Sequence, residues 1–436
     1  MKRTALNDLL IWKNSPYRKP LIINGARQVG KTWLLRDFGN NYFDSCVYLS
    51  LDVDEDAVDL FRSTRNPQEI IKGIELLSGK AIKPKDTLLI FDEIQNCPEA
   101  LMSLKYFCEE ASDYYLCAAG TLLGLSTNYG SGYPVGKVDT INLYPFSFAE
   151  FLDATGDDLL CDYLKDPHNL TSENFAERAI QRLRDYMFVG GMPGVIERFA
   201  RDMNYHEARK LQLQILEDYK RDFAKHADVK ILPRLFEIWD SIPVHLSQEN
   251  KKFIFGRIRE GARSKDYELA LIWLEQAGLI TKVKRVKKPY KPLSGNLDFK
   301  SFKVFLNDIG LLCAMSGLGF DSLAKKDEMF TEFKGSLTEQ FVCQQLICSK
   351  NLTPFYWSAE NSQGEIDFLV ENSSGITAIE VKSSQNVRSR SLSAFHDKFG
   401  ATNALRFSLS PYRDQGWMEN VELYKIINES VLISDF

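Results

Sequence analysis

Leu21, Ile22 and Ile23 form a short apolar run of the kind found in a buried parallel strand, and an amphipathic stretch follows after a glycine loop. Two more runs repeat the pattern. Thr87–Gln95 places four apolar residues before Asp92 and Glu93, and the run from Tyr114 ends at Gly120 and Thr121. From about 147 to 228 the spacing changes to apolar residues every three or four positions with charges between, clearest over Leu211–His226. A helix starting at a Ser264 cap and ending at Gly278 is followed by the strand-like runs ITKVKRVKKPYK and FKSFKVFLND. The last hundred residues read as helix (Gly335–Lys350), strands FYWSA, GEIDFLV and ITAIEVKSS, helix LSAFHDKFG and strand ALRFSLS. An α/β chain is expected, with a parallel-sheet core over 1–146, a helical lid over 147–230, a winged-helix-like middle over 231–325 and a second α/β domain over 326–436.

The glycine loop after the first strand carries chemistry. Gly25-Ala26-Arg27-Gln28-Val29-Gly30-Lys31-Thr32 is a full G-x-x-x-x-G-K-[ST] match between strand and helix, with Trp33 next in line. Glycines let successive N–H groups curl toward phosphate oxygens, and the helix N-terminus adds partial positive charge. Lys31 is placed to reach the β- and γ-phosphates of ATP, and the Thr32 hydroxyl to ligate Mg²⁺. Asp92, closing a buried strand, is expected to organise the same Mg²⁺, and Glu93 to activate the attacking water. Thr121 closes a third strand, where its hydroxyl either senses the γ-phosphate or caps the next helix. Arg182, Arg184, Arg221 and Lys137 are the cations available to act in cis.

Composition narrows the setting. The chain has 436 residues, 44% hydrophobic and 26% charged, the balance of a globular protein of about three domains. A formal charge of −5 advertises neither a nucleic-acid nor a membrane partner globally, so such binding must come from local patches. The eight cysteines show no C-x-x-C pair or zinc spacing, as expected of reduced, packed thiols. Asn7 and Asp8 interrupt the only leader-like segment, and no run approaches the roughly 20 apolar residues of a membrane helix. A soluble, cytoplasmic protein is expected.

GARQVGKT, LLIFDEIQ and AAGTLL, followed by GKVDTINLYPFSFAEFL and GGMPGVI, resemble the AAA-type P-loop ATPases of the AAA_14 kind that are joined to a DUF4143 region. KVFLNDIGLLCAM resembles that family's junction ahead of its last domain. One departure is Gly136-Lys137, where the family usually carries Gly-Arg; a lysine is a poor substitute for a guanidinium fork.

The α-β-β-β-α-β order of the last domain resembles the core of PD-(D/E)xK nucleases, on Glu339, Asp367 and the run Glu380-Val381-Lys382. That resemblance implies a second Mg²⁺ site, with Asp367 and Glu380 as ligands, Glu339 as an additional one, and Lys382 positioning a nucleophilic water. Period-two alternation puts Glu380 and Lys382 on one face. Either the site cleaves, or the fold is retained and only binds nucleic acid or a partner protein. Lys282, Lys284, Arg285, Lys287, Lys288 and Lys291 crowd the hairpin, where a wing would grip phosphates or simply be solvated. Expected partners are therefore ATP and ADP, DNA or RNA, and further copies of the chain as a homo-oligomer, but no membrane.

Overall fold

The computed structural model describes residues 1–121, 133–166, 173–248, 251–320, 328–360, 364–373, 375–383, 389–400, 403–428 and 430–432. Two compact units result, one of Lys2–Tyr144 with Gln276–Leu279 and one built from Pro145–Glu275 and Ile280–Phe436.

In the first unit, helix α1 (Ala5–Asn14) precedes β1 (Leu21–Asn24), α2 (Lys31–Tyr42), β2 (Ser45–Ser50), α3 (Glu55–Ser63) and α4 (Pro67–Ser78). Then come β3 (Thr87–Asp92), α5 (Pro98–Glu110), β4 (Tyr115–Gly120) and β5 (Asp139–Asn142). The sheet order is β2-β3-β4-β1-β5, with every pairing parallel. All of β1 and β3 is buried, because a parallel sheet has helices on both faces. Ile22, Leu49, Leu89 and Phe91 pack with Phe61, Ile70 and Leu104 from α3, α4 and α5 on one side. β1 and β3 are split by β4, so the ends of all three lie side by side and the polar residues that close them share one edge.

The second unit begins with helices α6 (Phe148–Ala154), α7 (Asp158–Lys165), α8 (Glu173–Val189), α9 (Pro193–Asp202), α10 (Tyr205–His226), α11 (Leu232–Leu246) and α12 (Ser264–Gln276). The strands β6 (Ile280–Val286) and β7 (Leu297–Leu306) follow, then α13 (Ile309–Met315) and α14 (Glu328–Cys348). The chain ends with β8 (Phe355–Ser358), β9 (Glu365–Asn372), β10 (Gly375–Val381), α15 (Arg390–Phe399), β11 (Asn403–Ser408), β12 (Arg413–Asp414) and β13 (Glu419–Glu422).

The α-β-β-β-α-β order expected from 335 onward is present. The hairpin read as a wing is placed differently. β6 pairs in parallel with β8, so β6 and β7 extend one eight-stranded sheet, β12-β13-β11-β10-β9-β8-β6-β7. Val286 enters the same core as Trp357, Ile366 and Leu392. The sheet therefore crosses the expected boundary at 325/326. Local periodicity shows that a strand exists but not which strand it pairs with.

Two motifs that looked independent in sequence interlock here. Asp308 accepts the Gly191 N–H at 2.5 Å and caps α13 through the Leu311 N–H at 2.9 Å. A Cβ on Gly190, whose φ is +76°, would lie 2.3 Å from Asp308 Oδ1, so only glycine fits. GGMPG is thus a packing turn against Asp308 and Gly310.

Candidate functional site

The phosphate loop runs from the end of β1 to the start of α2. Gly25 is required by crowding, since a Cβ there would meet the Leu143 carbonyl oxygen at 2.4 Å. Gln28 (φ 65°) and Gly30 (φ 94°) turn the backbone left-handed on either side of Val29, curling the loop N–H groups inward. Ala26 and Val29 are buried and anchor the loop, while Arg27 is half-buried and Gln28 exposed. The Lys31 ammonium, itself buried, donates to the Gly25 and Ala26 carbonyls at 2.9 Å each. Trp33 lies 47% exposed at the first turn of α2.

Thr32 Oγ1 donates to Asp92 Oδ2 at 2.7 Å, although 60 residues separate them. Asp92 is buried, and this pairing brings a hydroxyl and a carboxylate to one point beside the loop. Those two groups fit the protein's share of a Mg²⁺ shell completed by phosphate oxygens and water. The site uses three residues that periodicity did not mark. Tyr48 on β2 donates to the same Asp92 oxygen at 2.8 Å, with the Arg36 guanidinium over its ring at 3.8 Å. Burial, then its bond to Asp92, hold the Tyr48 phenol above its usual pKa. Arg3, buried near the N-terminus, donates to the carbonyls of Val29 at 3.0 Å and Tyr144 at 2.6 Å, bracing the loop from outside. The basic Lys2-Arg3 pair was the only sequence signal for that brace.

Gln95 is the third. Glu93 sits in the left-handed region (φ 52°), and the Gln95 side-chain amide donates to its carboxylate. Gln95 reaches it by lying over Gly120, where a Cβ would approach Gln95 Oε1 to 2.7 Å. Thr121 follows at the end of β4, next to β1 as expected. Because a carboxylate acts as a base only when aimed, Gln95→Ala is expected to lower ATP turnover about tenfold, the worth of one charge-assisted bond, with KM within about twofold. Steady-state kinetics check this, and a change confined to KM would refute it.

Three of the four cations considered for a role in cis are paired elsewhere, and the fourth, Arg184, is half-buried. Arg182 bonds Asp157 and Asp185, Arg221 pairs with Asp218 at 3.3 Å, and Lys137 with Glu109 at 2.9 Å. On the hairpin, Lys282 pairs with Glu275 at 2.7 Å and Arg285 with Asp298 at 3.1 Å, while Lys291 donates to the Asn372 carbonyl. Lys287 and Lys288 remain exposed.

The second expected site lies in the C-terminal sheet. Asp367 on β9 accepts the Val381 N–H at 2.8 Å, across to β10, and Lys382 lies 3.0 Å from Glu380. Glu339 on α14 is buried, yet its carboxylate meets the Lys251 ammonium at 2.6 Å and comes within 3.7 Å of Lys303. Lys303 also contacts Glu365 at 2.5 Å. Burial, then the Glu339 charge, push the Asp367 carboxyl up, whereas in Glu339 the two ammonium groups outweigh burial and hold it down. Among the described residues no three His, Cys, Asp or Glu side chains are placed to hold a metal ion together. Glu339, Asp367 and Glu380 are neighbours in charge but do not form the expected three-ligand set. Lys251 and Lys303 instead stand against Glu339 and Glu365.

Among the described residues no helix is long and apolar enough to cross a membrane. Comparison with known proteins is consistent with this layout. Residues 17–152 match the model of an AAA domain (AAA_14), 180–322 a domain of unknown function (DUF8612) and 334–424 another (DUF4143). No protein of curated function matches. Among solved structures, a Walker-type ATPase of Pyrococcus abyssi aligns at 14% identity and TM-score 0.45, covering 72% of this chain and 95% of its own. The Aeropyrum pernix ORC1 protein in complex with DNA aligns at 12% and 0.28 (74% and 95%), and the Thermotoga maritima RuvB Holliday junction branch migration motor at 13% and 0.31 (65% and 90%). The phosphate loop, its Asp92 and the parallel sheet all fall inside the first matched segment, and the chain accordingly carries an AAA domain of the AAA_14 family, a P-loop ATPase core, together with a C-terminal DUF4143 domain.

Proposed function

We propose that this protein hydrolyses ATP in a Mg²⁺-dependent reaction at the edge formed by β1, β3 and β4, and that it binds nucleic acid through its β6–β7 hairpin. The convergence of Lys31, Thr32, Asp92 and Glu93 around one loop carries the first part. In this reading the loop N–H groups from Gly25 to Thr32 bind the phosphates, and Lys31 exchanges its loop carbonyls for β- and γ-oxygens. Thr32 and Asp92 would hold Mg²⁺, which offsets charge on the phosphates when bound. Glu93, aimed by Gln95, takes a proton from the attacking water. Lys287 and Lys288, exposed and next to half-buried Lys284, support the second part. Of the six clustered cations, Lys282 and Arg285 are ion-paired and Lys291 is held to the Asn372 carbonyl, so the expected DNA affinity is modest and falls with salt.

Phosphate release measured with and without Mg²⁺, and with and without duplex or single-stranded DNA, tests both parts. Wild-type turnover is expected to exceed that of Lys31→Ala by about a hundredfold or more, since a phosphate-bound ammonium is lost. Equal rates would end the ATPase reading. Failure of the wild type to bind either DNA at low salt would end the nucleic-acid reading alone.

A further inference from the structure

The acid cluster of the C-terminal sheet is crossed by lysines that lie outside the motif suggesting a metal. Lys303 comes from β7, three strands away from β9 in sheet order, and its side chain is 0% exposed. Its ammonium bridges Glu365 on β9, at 2.5 Å, and Glu339 on α14, at 3.7 Å. The opposite oxygen of Glu339 takes the Lys251 ammonium at 2.6 Å, also largely buried. Lys382 answers Glu380 at 3.0 Å, and buried Arg406 stands beside Glu380 in the β10–β11 register. Three of the four carboxylates (Glu339, Glu365 and Glu380) thus each have a lysine ammonium between 2.5 and 3.7 Å away, while Asp367 accepts the Val381 N–H.

A hard divalent cation is drawn to a pocket by uncompensated carboxylates and must collect several oxygens. Here Lys251 and Lys303, which come from outside the motif, already take up Glu339 and Glu365. Bringing in two further positive charges would require an ammonium with a 0% exposed side chain to leave its partners, and such a group has no solvent to move into.

We propose that Lys251 and Lys303 are permanent counter-cations of this cluster, standing in for a divalent ion, so that the C-terminal domain keeps its charged interior without metal and does not act as a metal-dependent nuclease. This goes beyond the ATPase reading and does not depend on it. Lys303 is then a positioning residue. It ties the edge strand β7 to β9 and α14, and its removal leaves a charge deficit that an added cation can fill.

The test uses the full chain. Mn²⁺ is titrated into nucleotide-free wild type, Asp367→Asn and Lys303→Met, with free Mn²⁺ followed by electron paramagnetic resonance and unfolding followed by heat. Wild type and Asp367→Asn are expected to bind the same amount of Mn²⁺, any shared binding belonging to the nucleotide site. Mn²⁺ or EDTA should shift the melting temperatures of wild type and Asp367→Asn by the same amount. Lys303→Met should melt several degrees lower and recover part of that loss in millimolar Mn²⁺. Mn²⁺ bound by wild type and lost in Asp367→Asn overturns the proposal, as does Mn²⁺-dependent plasmid nicking that Asp367→Asn or Lys382→Ala abolishes. Should Lys303→Met not fold, the wild-type comparison with Asp367→Asn decides by itself. An inactive ATPase would leave these readouts unaffected, so the two readings fail separately.

Discussion

Glu93→Gln is expected to bind ATP within about threefold of wild type while turning it over roughly 10²–10³ times more slowly, the usual worth of a positioned general base. The split follows from geometry. Phosphates would be held by the loop and by Lys31, whose ammonium lies against the Gly25 and Ala26 carbonyls. The Glu93 carboxylate is instead turned by a left-handed backbone and held by the Gln95 amide. Glutamine keeps the size and the bond to Gln95 but cannot take a proton from water. Lys31→Ala should instead lose affinity together with turnover. Fluorescent-nucleotide binding and single-turnover phosphate release separate the two variants. A Glu93→Gln protein that turns over at the wild-type rate would show that another group acts as base.

The second large effect concerns stability. Asp308→Ala is expected to cost about 3 kcal/mol at pH 7, since it strands the buried N–H groups of Gly191 and Leu311. Burial outweighs those donors and raises the Asp308 carboxyl to about 6. A folded-state value raised above the unfolded 3.8 gives stability that is fully present below about pH 3.8 and lost as pH rises through about 6. The native protein therefore binds this proton more tightly, and the gap between wild type and Asp308→Ala should widen from pH 7 to pH 5. Urea unfolding of both proteins at the two pH values measures it. A gap that narrows on acidification would mean the carboxyl is not held up by burial. Loss should concentrate in the second unit, where Gly190, Gly191 and Gly310 leave no room for Asp308 to be replaced by a shifted backbone.

Much of the nucleotide unit could be read locally. Three apolar runs predicted β1, β3 and β4, and Asp92, Glu93 and Thr121 stand at the ends of β3 and β4, because a strand's end and a glycine loop are short-range features. Arg3, Tyr48 and Gln95 escaped notice for the converse reason. An arginine near the terminus, a tyrosine on a strand and a glutamine after an acidic pair have ordinary local patterns. Only the order β2-β3-β4-β1-β5 brings Tyr48 to Asp92, and only the approach over Gly120 lets Gln95 reach Glu93.

The C-terminal half divides in the same way. Element order and the positions of Asp367, Glu380 and Lys382 on adjacent strands follow from period-two alternation within a few residues. Whether those acids face a metal or a lysine does not, because Lys251 and Lys303 reach Glu339 and Glu365 across separations of 88 and 36 to 62 residues. Pairing of β6 with β8 is likewise a long-range choice, made by burying Val286 with Trp357 and Ile366 rather than by any property of the hairpin. By itself the sequence determined a phosphate loop, its acidic partners and an α/β alternation, since each is written in residues close along the chain. Tertiary structure alone decided which cations answer which carboxylates, because that depends on strand order and burial, where a charge left unmatched is too costly to keep.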